Sequence, residues 1–443
     1  MTMKTVIRPE TEMKDSGVEW IKYIPENWNC MPLKRYFQFG KGLPITKADL
    51  TENGEKVISY GQIHAKFNTG VSVDDRLIRF VSSEYKSTNS NSLCSKGDII
   101  LADTSEDKEG CGNAVYIDCD EKIFAGYHTI ILKSTKDNKY LAYLFQSDSW
   151  RTQIQTRVNG VKLFSITQKI LNQCTIILPP LSEQQVIADY LDETCSKIDE
   201  IIAEAKASID EYKKLKQSVI DKAVLQGLCN GMMKDSGNDL IGKIPLSWEM
   251  RKLKYVADFN PGIIIAYDAQ KEVGYVPMNC VKNGYMNPLS TKISNMSTGL
   301  TGFQDGDIII AKVTPCFENG NIAVAENLEQ GVAFGSSELF VIRTHSINRH
   351  FMLYYLQNSV FKNQCISTMT GTGGLKRVSG YFVNNAYITY PPENEQQAIV
   401  DYLDAKCKQI DSLISEKQSL INDLEAYKKS LIYEVVTGKR RVV

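Results

Sequence analysis

Pro179 opens the stretch PPLSEQQVIADYLDETCSKIDEII, and 212 residues later Pro391 opens PPENEQQAIVDYLDAKCKQIDSLI; 14 of the 24 paired positions are identical. Agreement of that density within one chain marks a duplicated structural unit. A second pair lies upstream. MKDSGVEWIKYIPENWNCMPLK begins at Met13 and MKDSGNDLIGKIPLSWEMRKLK at Met233, an offset of 220 with 11 of 22 positions identical, Pro25/Pro245 and Trp28/Trp248 among them. The offset falls from 220 to 212 along the repeat, so the second copy is eight residues shorter between the two motifs.

Each downstream motif opens a long helical pattern. Residues 182–226 and 394–437 contain neither Gly nor Pro, and each stretch stops at a glycine, Gly227 or Gly438, which suits a left-handed helix terminus. Ser182 and Asn394 are placed to cap these helices, with Gln185 and Gln397 three positions on in a capping-box pattern. Along the first helix Ile187, Leu191, Thr194, Ile198, Ile201, Ala205, Ser208/Ile209, Tyr212, Leu215 and Val219 recur at spacings of three and four. Ile399, Leu403, Lys406, Ile410, Leu413, Lys417, Leu420, Leu424, Tyr427 and Leu431 repeat the stripe in the second. Five heptads of this kind argue for a coiled coil over a helix packed only on its own domain. The two helices are expected to pair with each other, leaving Ile202, Ile220, Ile414 and Ile421 to face another subunit. At about 1.5 Å per residue each runs roughly 65 Å. Antiparallel pairing would relate the halves by a pseudo-twofold axis and set two domains apart by more than one turn of B-DNA, about 34 Å.

Between the motifs, residues 35–178 and 255–390 diverge, but a pattern survives. KGDIILADT at 96–104 matches DGDIIIAKVT at 305–314, and HTIILKS at 128–134 matches ELFVIRT at 338–344. Apolar or β-branched runs at 98–102, 128–132, 174–178, 307–311, 339–343 and 386–390 predict strands, and 139–147 and 349–358 predict short helices. The fold class expected is α+β: two tandem globular domains (1–180 and 228–392), each followed by a long helix (181–227 and 393–438), and a basic tail at 439–443.

Composition sets the outer bounds. The chain has 443 residues, 43% hydrophobic and 23% charged, with a net charge of −1. Moderate charge argues against wholesale disorder. Near-neutrality implies that a nucleic-acid surface must be a local arrangement of Lys and Arg, with affinity shared with a more basic partner. Eleven cysteines with no CxxC spacing and four histidines with no zinc spacing predict no metal and reduced thiols in a cytoplasm. The first ten residues hold no signal-peptide core, and no apolar run reaches the roughly 18–20 residues that cross a bilayer.

No catalytic constellation is legible. An adenine methyltransferase needs an Asn/Asp-Pro-Pro-Tyr type loop, whereas the two Pro-Pro pairs here read LPPL and YPPE. There is no GxxxxGK[S/T] phosphate loop; GTGGLKR at 371–377 lacks its spacing and suits close backbone approach or a tight turn. Candidate phosphate contacts are Lys66, Arg157 and Lys162 in the first half and Lys282, Lys312, Lys376 and Arg377 in the second, the last two clustered beside glycines. Tyr60, Gln62, His64, Asn279 and Thr314 are polar enough to read base edges. For each of these an ordinary solvated role is the competing explanation. His64 and His128 read as polar surface or core residues, Cys195 and Cys407 as small apolar residues flanking the seam, and Trp28 and Trp248 as core anchors.

Taken in order and in both halves, the MKDSG…IP…W…LK opening, GDIILA/GDIIIA, TPCFENGNIAV at 314–324 and the PP…EQQ.I.DYLD…C..ID helix start resemble the specificity subunits of Type I restriction–modification enzymes. The resemblance implies two target-recognition domains reading a bipartite, asymmetric double-stranded DNA site, with helices that set the spacer and dock two modification (methyltransferase) subunits. Restriction (motor–nuclease) subunits would join that core. Methylation and cleavage, with S-adenosylmethionine, ATP and magnesium, would belong to those partners. A coiled-coil adaptor that binds only proteins is the alternative the neutral charge permits, and a self-contained methyltransferase a more distant one.

Overall fold

The computed structural model describes residues 3–134, 139–228, 231–263, 272–293, 299–372 and 374–443; Met1, Thr2, Cys229 and Gly373, all within features noted above, lie outside them. The chain forms two compact units, one made of Met1–Ala205 with Ser419–Val443 and the other of Lys206–Gln418.

Each unit is built on the same pair of sheets. In the first, strands Ala114–Tyr116, Ile99–Ala102, Thr129–Lys133 and Gln38–Lys41 form an antiparallel sheet in that order. The second unit matches it with Ile322–Val324, Ile308–Ala311, Leu339–Thr344 and Ala257–Phe259. All four residues of Ile99–Ala102 and of Ile308–Ala311 are buried, which is why these runs are continuously apolar and do not alternate. The other sheet holds a parallel pair: Glu55–Ile58 beside Ile123–Ala125 in one unit, Glu272–Val276 beside Val332–Gly335 in the other. The predicted strands and short helices are present with ends shifted by a residue or two, for example Thr175–Leu178, Tyr387–Tyr390, Lys139–Gln146 and Arg349–Gln357. Thr175–Leu178 pairs with Asn29–Pro32, and Tyr387–Tyr390 with Glu249–Lys252.

The long helices span Leu181–Gln226 (46 residues) and Glu393–Val436 (44 residues). Both end as expected, on Gly227 at φ +77° and Gly438 at φ +75°. Their starts differ from the expected box. Ser182 and Asn394 lie inside the helices, and Gln185 and Gln397 bond Asp189 and Asp401 one turn on. The helix begins straight from Pro-Pro, whose ring nitrogens carry no N–H in need of an acceptor, and Gln184 and Gln396 donate back to the carbonyls of Pro179 and Pro391 at 2.6 and 2.8 Å.

Each unit takes half of both helices. Within the first, Arg8 joins the start of one helix to the end of the other through Glu183 Oε1 (3.0 Å) and the Gly438 carbonyl (3.0 Å), while Lys428 pairs with Asp199 at 2.7 Å. Within the second, Lys216 pairs with Asp411 at 2.7 Å, and Gly227 lies by Glu395 and Ile399. In both units the halves therefore run antiparallel. The two lysine–aspartate pairs occupy equivalent positions of the repeat with the helices exchanged.

Duplicated contacts fasten helix to domain. Trp28 Nε1 donates to Glu183 at 3.0 Å and Trp248 Nε1 to Glu395 at 2.7 Å, and both indoles are fully buried core anchors. Tyr143 donates to Asp192 and Tyr354 to Asp404, each at 2.6 Å. Burial first, then the neighbouring carboxylate, pushes the Tyr143 phenol above its ordinary range. Tyr143→Phe is expected to destabilise the first unit by about 1–2 kcal/mol, because Lys139, 2.7 Å from Asp192, remains to partner the carboxylate. Urea unfolding at constant slope checks this; a change under about 0.3 kcal/mol would make the bond incidental.

Two expectations about the long helices need correcting. Ile202, Ile220 and Ile421 do not face outward: they are 7%, 3% and 2% exposed, whereas Ile201, Leu215, Leu420 and Tyr427 of the read seam are 39–50% exposed. A straight helix drifts about 20° per heptad from a strict seven-residue seam, so over 46 residues the buried stripe passes to neighbouring positions. The basic tail is tied into the fold. Arg440–Val442 pairs antiparallel with Thr5–Ile7, so the two ends of the chain tie each other down. Arg440 also bonds Glu434, and Lys439 meets the Tyr433 hydroxyl.

Candidate nucleic-acid interface

In both units the hairpin from the buried GDII strand ends in the same backbone frame. In the first, Asp103 N donates to the His128 carbonyl and Ile166 N to the Asp103 carbonyl, while Thr104 pairs with Ser165. In the second, Lys312 N donates to the Glu338 carbonyl and Val378 N to the Lys312 carbonyl, while Val313 bridges to Arg377. Asp103, His128 and Ser165 thus stand where Lys312, Glu338 and Arg377 stand. The side chains at the first two positions have swapped character: Asp103 lies 3.4 Å from His128 Nδ1, and Lys312 lies 3.8 Å from Glu338. One scaffold carries two different polar surfaces.

Around the first frame is an aromatic and polar group. Tyr60 sits edge-on to His64, Tyr127 and His128, with ring centroids 6.2, 5.6 and 5.3 Å away. His64 is held by the Thr104 carbonyl (2.8 Å) and Asn113 (3.1 Å) and is half-buried. Arg151 joins them through Asn113, at 2.5 Å; burial lowers its pKa. Nothing in the sequence pattern had singled out Asn113 or Arg151. Gln62 accepts from Ser59 N at 3.2 Å and so closes its own turn. Lys66 and Lys162 are exposed, Lys162 on the loop before Phe164–Ser165. Arg157 is not brought to this group: its guanidinium lies 5.2 Å over the Trp20 ring and bonds the Gln153 carbonyl.

The second frame is more strongly charged. Arg377 Nε is 2.9 Å from Glu338 Oε2, and its Nη2 is 2.8 Å from Oε1. Lys312 Nζ donates to the Ser337 carbonyl at 2.6 Å. Hydrogen bonding from Arg377, assisted by the charge of Lys312, holds the Glu338 carboxyl below its usual range. Thr314 secures the glycine loop by donating to the Gly374 carbonyl (2.9 Å) and accepting from Lys376 N (3.0 Å), which leaves the Lys376 side chain exposed. Asn279 and Lys282 are exposed on the segment after the parallel strand Glu272–Val276. Glu338 was passed over in the sequence, although aligning HTIILKS with ELFVIRT sets it opposite His128.

Among the described residues no group of His, Cys, Asp and Glu is placed to hold a metal ion, and no helix is long and apolar enough to cross a membrane. Burial raises the thiol pKa of Cys195 to about 11 and also raises that of Cys407, so both behave as small apolar residues.

Comparison with known proteins places this architecture. The chain is similar to the Type I restriction enzyme EcoAI specificity subunit of Escherichia coli, 30% identical over 294 residues that cover 64% of this chain and 47% of that one. It therefore spans about half the length of that relative. The Type I restriction enzyme MjaVIII specificity subunit of Methanocaldococcus jannaschii is 25% identical over 435 residues, 95% of this chain and 94% of that one. Among solved structures, a chain described under complex assembly and conformational transition of the type I R-M system shares the fold at a TM-score of 0.71 and 17% identity, over 94% of this chain and 99% of that one. The HsdS subunit from Thermoanaerobacter tengcongensis does so at a TM-score of 0.50 and 16% identity, over 94% and 98% of the two chains. The model of the Type I restriction modification DNA specificity domain matches twice, at residues 25–211 and 245–423, and with both halves covered the chain belongs to that family.

Proposed function

We propose that this chain reads a bipartite, asymmetric DNA sequence on behalf of partner subunits and performs no chemistry itself. The observation that carries this reading is the duplicated frame with exchanged side chains, Asp103/His128/Ser165 against Lys312/Glu338/Arg377. A conserved scaffold that varies its polar edge is what two readers of different sequences require, because specificity lies in donor and acceptor placement at base edges. Lys66, Lys162, Lys282 and Lys376, all exposed, supply phosphate contacts.

The partners are two methyltransferase subunits and the restriction subunits, which use S-adenosylmethionine, ATP and magnesium; the assembly works in the cytoplasm. Half-exposed apolar residues on the long helices support docking there: Leu215 and Tyr427, equivalent in the repeat, each keep 50% of their surface exposed. Methylome mapping of a host carrying the chain with its methyltransferase partner tests the function. One split motif is the expected result, and no sequence preference at any duplex would end this reading. DNA affinity that ignores salt would instead favour a protein adaptor.

The helices also act as a ruler. Inserting one heptad at equivalent points in both helices adds about 10 Å and is expected to lengthen the preferred spacer by about three base pairs at 3.4 Å each. An unchanged spacer in the variant's methylome would remove the ruler role.

A further inference from the structure

We propose that Arg377 reads a guanine in the component of the target recognised by the second unit, with Glu338 as its positioning residue; this rests on the DNA-reading function above. Glu338 engages Arg377 side-on, through Nε and Nη2, at distances of 2.8 to 3.1 Å. Among the described residues Nη1 has no partner, so the end of the fork, Nη1 with the second hydrogen of Nη2, remains available. Two parallel donors at the end of a guanidinium match the N7 and O6 acceptors of guanine in the major groove.

Charge decides between a base and a phosphate. A guanidinium already neutralised by a carboxylate has little net charge to exchange for counterions, but it keeps its directional donors. It is therefore poorly suited to phosphate and well suited to a neutral base edge. The exposed ammonium of Lys376, with no ion-pair partner among the described residues, fits the phosphate role.

Position and rigidity agree with this. The Arg377 backbone is pinned at both faces: it bridges to Val313 and to Thr370, exchanging N–H···O bonds with Thr370 at 2.8 and 3.1 Å. Its side chain is 49% exposed, although Glu338 is only 27% exposed. Lys312 lies 3.8 Å from that carboxylate and bonds the carbonyl of Ser337 beside it, which fixes Glu338 from the other side. A fork held this way loses little freedom on binding. The first unit has Ser165 at the equivalent position, so the guanine requirement falls on one component alone.

The test uses the chain assembled with its methyltransferase partner and a duplex library randomised across both components, read by methylation. Arg377→Ala is expected to lower preference at one G·C position by about 5- to 150-fold and leave the other positions within about twofold. Arg377→Lys keeps the charge and loses the fork, so it should fail at the same base pair. Glu338→Gln should weaken discrimination there alone, with Glu338→Asp restoring part of it; a purely structural role would loosen every position of that component. Retained discrimination in the other component shows that each variant is folded. A uniform loss with a smaller salt slope, rescued by Arg377→Lys, would make Arg377 a phosphate contact and overturn the proposal, as would an unchanged profile. A wild-type complex with no sequence preference would overturn the DNA-reading function itself, a distinguishable failure.

Discussion

Trp248→Ala is expected to destabilise the second unit by about 3–5 kcal/mol, the usual loss for a fully buried tryptophan. Trp248 is 0% exposed, meets Phe351 edge-on at 6.5 Å and donates to Glu395 in the first turn of the second long helix. Truncation opens a cavity and also releases the helix start, whose carboxylate is left with Ser247 at 3.2 Å among the described residues. The effect should be local. Native-state hydrogen exchange is expected to show early loss of protection in Glu249–Lys252 and Tyr387–Tyr390, with Asn29–Pro32 and Thr175–Leu178 protected as before. Trp28→Ala should give the mirror pattern. A loss below about 1 kcal/mol, or equal loosening of both units, would contradict the anchoring role.

Gly438→Val is expected to cost about 2–5 kcal/mol, from a left-handed backbone (about 1–2) and a steric clash (about 1–3). The residue has φ +75°, and a Cβ there would stand 2.4 Å from Cγ and Cδ of Pro25 and 3.1 Å from the Trp28 ring. Gly17 separates the two contributions: at φ +69°, a Cβ added to it would meet no atom within 4 Å, so Gly17→Val should show only the first. Chemical denaturation of the two variants side by side is the measurement. Equal losses would mean that the close approach to Pro25 contributes nothing.

Much of this molecule was legible because its sequence repeats. The two long helices announced themselves by length, by the absence of Gly and Pro, and by the terminal glycines. Buried strands such as Ile99–Ala102 and Ile308–Ala311 were legible from apolar runs that only a doubly covered strand tolerates. The seam was less so. A helix that packs on a domain and on a second helix carries a wide apolar face, and spacing alone does not choose between Ile201 and Ile202.

The interface was harder still. Its residues meet through pairings distant in sequence: Lys312 reaches Glu338, and Glu338 reaches Arg377, which hairpin register brings to one edge. Composition offers no hint of such a cluster. Arg157 misled for the opposite reason, since a basic side chain in a polar stretch here packs on Trp20. The usable signal was the alignment of the chain with itself. Wherever it holds the backbone constant and exchanges Asp for Lys or His for Glu, the change is at the edge that differs between the halves.

The division of the chain has a consequence for its synthesis. The second unit is one continuous segment, Lys206–Gln418, and all of it has emerged before the first is whole. The first unit needs Ser419–Val443, including the strand Arg440–Val442 that meets Thr5–Ile7. A unit whose translation starts first therefore waits for residues made after all of the second unit, reversing the usual N-terminal-first order. A frameshift or stop codon within Ser419–Val443 would injure the unit that holds Met1–Ala205 and spare Lys206–Gln418, the segment beside the lesion.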